Sequence, residues 1–291
     1  MEKHRGLHSS TPSYRTEHLL ATAQSLPTRP DPTRGVGRVL GVLLTTHDAV
    51  REPFVGSTRL RLAGLALHAY TASGTVLALL IVIAAIDGDA VRALWLGLAA
   101  LWIDGTDGMI ARRLRVKETI PWFDGAMLDN IVDYLTYAFA PIVLLWTGGY
   151  LPNGFIGAAL AALPLLASSY QFCRTDAKTD DHFFLGFPSY WNVVAFYVVV
   201  LGLGPTATGV ILLTCSILVF VPVKYVYPSR TKVFRSMNLI TTLIWLAAYA
   251  VLLAQMPNPS PIVVAISLAY LVYYGGLSLY LTFWAPRRKV A

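Results

Sequence analysis

The residues 104–133 read DGTDGMIARRLRVKETIPWFDGAMLDNIVD and lie between two long apolar runs. Asp104, Asp107, Gly108, Ala111 and Arg112 stand at i, i+3, i+4, i+7 and i+8. At about 100° per helical residue they fall within roughly 140° of arc, on one face. Gly125, Asp129 and Asp133 stand at i, i+4 and i+8, again on one face. Two antiparallel helices joined through this stretch would turn the two faces together, so that four carboxylates converge. Each Asp within a membrane span costs at least about 2.5–3.5 kcal/mol on insertion scales, and like charges add repulsion. Divalent cations would offset that cost. An all-oxygen donor set selects Mg²⁺ or Mn²⁺ over Zn²⁺, and four carboxylates suffice for two ions placed for attack at phosphorus. Gly108 and Ala111 lack bulk where the acids point, which lets a ligand approach the helix backbone. Arg112 offers a fork for phosphate oxygens. Asp124 precedes the second helix and has two readings, a further inward acid or a helix N-cap.

These acids sit in a chain of 291 residues that is 55% hydrophobic and only 13% charged, with mean hydropathy +0.56. A soluble domain carries about 25% charged residues, so the class is an all-α, polytopic membrane helix bundle. A span needs about 20 apolar residues. Candidate spans are Leu62–Ile86, Val91–Ile110, Met127–Trp146, Phe155–Phe172, Tyr190–Leu203, Gly209–Val223, Leu239–Gln255 and Ile262–Trp284, about eight transmembrane helices, the fifth and sixth being short. Alternate loops are basic: Arg112, Arg113, Arg115 and Lys117; Arg174 and Lys178; Lys224, Arg230, Lys232 and Arg235; and Arg287, Arg288 and Lys289. The other loops hold Arg92 alone. The positive-inside rule then places both termini and the acidic stretch on the cytoplasmic side of the membrane. The formal charge of +7 reflects topology and contact with anionic lipid, not nucleic acid. Residues 1–58 are polar and read as a cytoplasmic tail, largely disordered; the short apolar run Val36–Thr46 within them is too short to span and lacks a small-residue cleavage site. Cys173 and Cys215 fit neither a zinc site nor a disulfide framework and read as small packing residues.

The pattern Asp104-x2-Asp107-Gly108-x2-Ala111-Arg112-x12-Gly125-x3-Asp129-x3-Asp133 resembles the signature of the CDP-alcohol phosphatidyltransferases. The twelve residues between Arg112 and Gly125, where most of that family has about eight or nine, resemble one branch, the bacterial phosphatidylcholine synthases. The segments TASG (71–74), LDNIVDYLTY (128–137) and KTDDHFFLGFPSYWN (178–192) are similar to that branch too. The resemblance covers roughly residues 60–285. It implies a six-helix catalytic core over 59–230, with two further transmembrane helices and a basic C-terminus over 231–291. It implies Asp104, Asp107 and Asp129 as ligands of Mn²⁺ or Mg²⁺, and Asp133 as ligand, general base or both. Gly108 and Ala111 would line the cytidine pocket, Arg112 would hold a phosphate, and Gly125 would permit close packing near the nucleotide. The implied substrates are CDP-diacylglycerol and choline, with CMP as product, membrane lipids as surroundings and a homodimer as the assembly.

Choline carries a quaternary ammonium without a hydrogen-bond donor, so aromatic faces or carboxylates must hold it. Tyr137 extends the Asp129/Asp133 face at i+4 and is the first candidate. Trp191, Tyr134 and Tyr190 follow, although Trp and Tyr also belong at membrane interfaces. Thr71 and Ser73 can bond the nucleotide or their own helix backbone. His68 reads as a packing residue, while Asp176, Asp180 and Asp181 read as a solvated loop or as substrate-orienting acids. Arg230 and Lys232 suit lipid phosphate or merely mark topology. Competing readings are transfer to serine, inositol or glycerol phosphate, and a cation-coupled transporter. A transporter predicts inverted repeats with helices broken at the midplane, and the sequence shows no such repeat.

Overall fold

Apolar runs punctuated by Gly, Pro and charge fold into helices, and each of the eight expected spans has its helix. A computed structural model describes residues 58–284 apart from Asp180 and Ser229. The expected tail, the Asp180 reading and the bases Arg287, Arg288 and Lys289 lie outside the described residues. The helices are α1 (Thr58–Ile86), α2 (Ala90–Arg113), a single turn α3 (Val116–Thr119), α4 (Gly125–Thr147), α5 (Gly154–Cys173), α6 (Trp191–Val200), α7 (Pro205–Phe220), α8 (Arg235–Ala254) and α9 (Pro261–Phe283). Five of them, α1, α4, α5, α8 and α9, are long and apolar enough to cross a membrane. The chain is a multi-pass, all-α membrane protein.

Two expected spans need correction. The fifth, Tyr190–Leu203, is a helix of only 10 residues, about 15 Å long, half the hydrocarbon thickness. Pro188 and a left-handed Ser189 (φ 58°) break the chain just before it. The approach is extended instead: β1 (Phe183–Leu185) pairs antiparallel with β2 (Lys224–Val226), with Phe184 opposite Tyr225. The sixth, Gly209–Val223, begins four residues earlier at Pro205, whose missing N–H suits a helix start, and ends at Phe220 before Pro222.

Small residues set the packing of α1. Gly64, Leu67, Thr71, Gly74 and Ala78 form its buried stripe. A Cβ on Gly74 would run into Val132 of α4, and one on Gly64 would lie 2.7 Å from Ile120. Close helix approach through small residues replaces the hydrophobic drive that lipid does not supply. α6 is the centre of the core: Trp191, Phe196 and Val198 are fully buried, and Phe196 stacks on Tyr249 of α8 at 3.7 Å. Tyr197 bonds Ser267 of α9 at 2.6 Å and accepts from Trp245 of α8 at 2.9 Å. The two C-terminal helices are thereby tied to the central helix by polar bonds as well as apolar contact.

Candidate functional site

Asp124 caps α4: its carboxylate accepts from the N–H groups of Ala126 and Met127, both at 3.0 Å. That settles its two readings in favour of the cap and fixes where α4 begins. One turn on from Gly125 come Asp129 and then Asp133. Facing them is Asp104 on α2. Carboxylate oxygens of Asp104, Asp129 and Asp133 all lie within 4.8 Å of one another, and all three residues are half-buried. No side chain among the described residues forms an ion pair with them. Three like charges at this spacing are costly, and their oxygens suit a hard divalent ion. The cluster fits the metal that the sequence implied.

Asp107 stands slightly apart. It is buried, 6% exposed, and accepts the Thr71 hydroxyl at 2.8 Å. Thr71 therefore orients an acid here. Ser73 spends its hydroxyl on the carbonyl of Tyr70 at 2.6 Å, the backbone alternative. Beside Asp107 opens a cavity of about 350 Å³ bordered by His68, Thr71, Gly108, Ala111, Arg112, Gly125, Asp129 and Arg230. The signature glycines have distinct uses in it. The Arg112 guanidinium lies 3.3 Å from where a Gly108 Cβ would be, so the side chain folds back over bare backbone. At Gly125 the His68 ring occupies the space, with Cε1 2.7 Å from a notional Cβ. His68 also packs on Phe123 at 4.4 Å, and its Nε2 is buried without a partner. Gly125→Ala must displace that ring, an overpacking cost of about 1–3 kcal/mol. We expect a several-fold higher KM for the nucleotide substrate, largely relieved in the Gly125→Ala/His68→Ala double variant; additive losses in that cycle would contradict the contact.

The Tyr137 hydroxyl donates to the Asp104 carboxylate at 2.6 Å. A π-helical stretch, Tyr134–Phe139, interrupts α4 directly after Asp133, and such widened turns often mark functional positions. Tyr137→Phe keeps the ring but removes the donor that aims Asp104. We expect apparent Mn²⁺ affinity to fall about 10–100-fold, the usual loss when a ligand's outer hydrogen bond is removed, read by metal titration of activity. Unchanged metal affinity would show that Asp104 is aimed by something else.

The other expected residues are dispersed. Tyr190 lies beside Tyr137, ring centroids 6.1 Å apart. Trp191 is fully buried, its indole N–H bonded to Ser168 at 2.7 Å and its ring packed on Phe187. Tyr134 packs edge-on to Phe172 and reaches the Leu165 carbonyl at 3.4 Å. Asp176 forms a two-pronged pair with Arg174, both bonds 2.7 Å, which holds its carboxyl below the usual range. Asp181 pairs with Lys224 at 2.6 Å. Asp176 is thus engaged within its loop, and Asp181 with the first residue of β2. Arg230 borders the cavity and lies over the Tyr227 ring at 5.4 Å, whereas Lys232 is exposed. Lys178, counted in the sequence only among the bases that mark topology, is an exposed base whose charge acts on Asp104, Asp129 and Asp133.

Apolar helices whose acidic faces meet beside a cavity bordered by Gly108, Ala111 and Arg112 define a membrane-embedded transferase of the CDP-alcohol phosphatidyltransferase class. Over 215 residues the chain is 39% identical to a phosphatidylcholine synthase of Pseudomonas aeruginosa, covering 74% of this chain and 90% of that one. It is 41% identical over 203 residues to the phosphatidylcholine synthase of Legionella bozemanae (67% and 93% covered) and 36% identical over 224 residues to that of Borreliella burgdorferi (76% and 95%). No family model matches the chain. The chain belongs to the phosphatidylcholine synthase family.

Proposed function

We propose that this chain transfers the phosphatidyl group of CDP-diacylglycerol to choline and releases CMP, at the cytoplasmic face of a bacterial inner membrane with both termini inside. The observation that carries the reading is the meeting of Asp104, Asp129 and Asp133 within 4.8 Å, beside a cavity bordered by the remaining signature residues. Those three acids, with Asp107 next to them, would hold one or two Mn²⁺ or Mg²⁺ ions. When bound, divalent ions supply neutralisation of the pyrophosphate and of the charge that develops on the departing phosphate.

The cavity takes the cytidine part of the donor against Gly108, Ala111 and Gly125. Arg112 and Arg230 border the same cavity and meet phosphate oxygens, Arg112 through its planar fork. Asp133 accepts the proton of the choline hydroxyl. The freed oxygen forms a bond to the phosphorus that bears diacylglycerol, and the bond from that phosphorus to the CMP oxygen breaks. Lys178 adds positive charge on the side where the pyrophosphate meets the acids. Tyr137 and Tyr190, nearest the carboxylates among the expected aromatic residues, border the acceptor. Trp191 and Tyr134 support the bundle behind them.

Purified protein in detergent with CDP-diacylglycerol and Mn²⁺ should release CMP on addition of choline. Release with serine, inositol or glycerol phosphate, and none with choline, would replace the acceptor while leaving the class intact.

A further inference from the structure

We propose that Tyr190, Phe184 and Tyr227, backed by Tyr274, form the surface that receives the trimethylammonium group of the acceptor. The inference rests on choline being that acceptor and names the subsite that selects it. Four separate elements bring these rings together. Tyr190 precedes α6, Phe184 is the middle residue of β1, Tyr227 follows β2, and Tyr274 lies on α9. Tyr190 is the hub, with ring centroids 6.2 Å from Phe184 and 6.4 Å from Tyr274. Phe184 in turn stacks on Tyr227 at 4.5 Å.

Three features distinguish this group from ordinary core packing. First, the four rings are only half-buried, unlike the sealed rings of Trp191 and Phe196 a few residues away. Second, they adjoin the acids. Tyr190 lies 6.1 Å from Tyr137, whose hydroxyl is on Asp104. Tyr227 joins Tyr190 through Phe184, which contacts both rings. Third, none of the four borders the cavity beside Asp107, so rings and cavity flank the carboxylates from different elements. A displacement at phosphorus needs its acceptor and leaving group on different sides.

The chemistry of the ligand matches. A quaternary ammonium donates no hydrogen bond and is held by the negative faces of several rings. Phe184 on β1, Tyr190 before α6 and Tyr227 after β2 lie in the segments next to Pro188 and Pro222. The short α6 and the β1–β2 pair thereby acquire a use: they carry Phe184, Tyr190 and Tyr227 to the acids.

The experiment uses the full chain in detergent with CDP-diacylglycerol and Mn²⁺. Tyr190→Leu, Tyr227→Leu and Phe184→Leu should each raise the KM for choline at least tenfold, with the KM for CDP-diacylglycerol within twofold. Tyr190→Phe and Tyr227→Phe, which keep the faces, should recover most of the choline KM lost in the corresponding Leu variants. On the wild-type protein, where folding of variants is not in question, tetramethylammonium should compete with choline and not with CDP-diacylglycerol. A choline KM unchanged in well-behaved Leu variants, or no competition by tetramethylammonium at a hundredfold excess over the choline KM, overturns the proposal. Wild-type protein that releases CMP with another alcohol but not with choline overturns the acceptor itself, a distinct result.

Discussion

Asp133→Asn should lower the turnover of choline at least about a hundredfold while leaving the protein extractable and folded. Asn has nearly the volume of Asp, so α4 loses no packing, and the cluster loses one of three mutually repelling charges. On the proposed reading the variant loses the general base, and general-base removal costs about 10²–10⁴-fold. Asp133 also places a carboxylate oxygen within 4.8 Å of those of Asp104 and Asp129, so a loss of metal could mimic a loss of base. The two separate in a Mn²⁺ titration. A base defect persists at saturating metal, whereas a ligand defect recovers as metal rises. Asp129→Asn serves as the comparison, because it should recover in part only if its failure is one of affinity. An Asp133→Asn enzyme that turns over at more than a tenth of the wild-type rate would remove Asp133 as the base.

The acidic faces were legible because helical spacing is local. Asp104, Asp107, Asp129 and Asp133 share faces by arithmetic alone, and Asp124 could be weighed as a cap from its position before Gly125. What spacing could not supply was the division of labour within the faces. Asp107 is drawn to Thr71 of α1, and only Asp104 joins the α4 pair in the close cluster. That choice depends on how α1 seats against α4 and the turn before it, where Gly74 lets Val132 approach and Gly64 lets Ile120 approach. The aromatic candidates show the same limit. Trp191 was favoured by its place in a branch-like segment. It lies one residue beyond Tyr190 yet is sealed against Ser168, because Pro188 and Ser189 stop the helix and reset which residue faces the acids. Phe184 and Tyr227 were invisible because β1 and β2 are three residues each and pair across two intervening helices, a contact that local periodicity does not announce. Eight apolar runs were read correctly as elements, but hydropathy counts residues and not path length, so the 10-residue α6 passed as a span.

Removing divalent metal should abolish CMP release and also lower the thermal stability of the protein, and the second effect tests the site without reference to turnover. With EDTA, Asp104, Asp129 and Asp133 face one another uncompensated by any ion pair among the described residues. An ion that binds only the folded chain stabilises it by about 2.7 kcal/mol at a hundred times its Kd. For a chain of this size each kcal/mol corresponds to roughly 2–4 °C, so saturating Mn²⁺ should raise the midpoint of thermal unfolding in detergent by about 5–10 °C. Asp104→Asn and Asp129→Asn should lose CMP release as metal removal does, but differ from it in stability. Relief of like-charge repulsion makes each variant at least as stable as wild type in EDTA, while the gain on adding Mn²⁺ shrinks or vanishes. Ca²⁺, with a larger radius and looser coordination, should shift the midpoint of wild type without restoring CMP release to the Mn²⁺ level. If Mn²⁺ leaves the wild-type midpoint unmoved, or if Asp104→Asn keeps the full shift, the three carboxylates do not hold the ion, and the reading of the acidic stretch as a metal site fails with them.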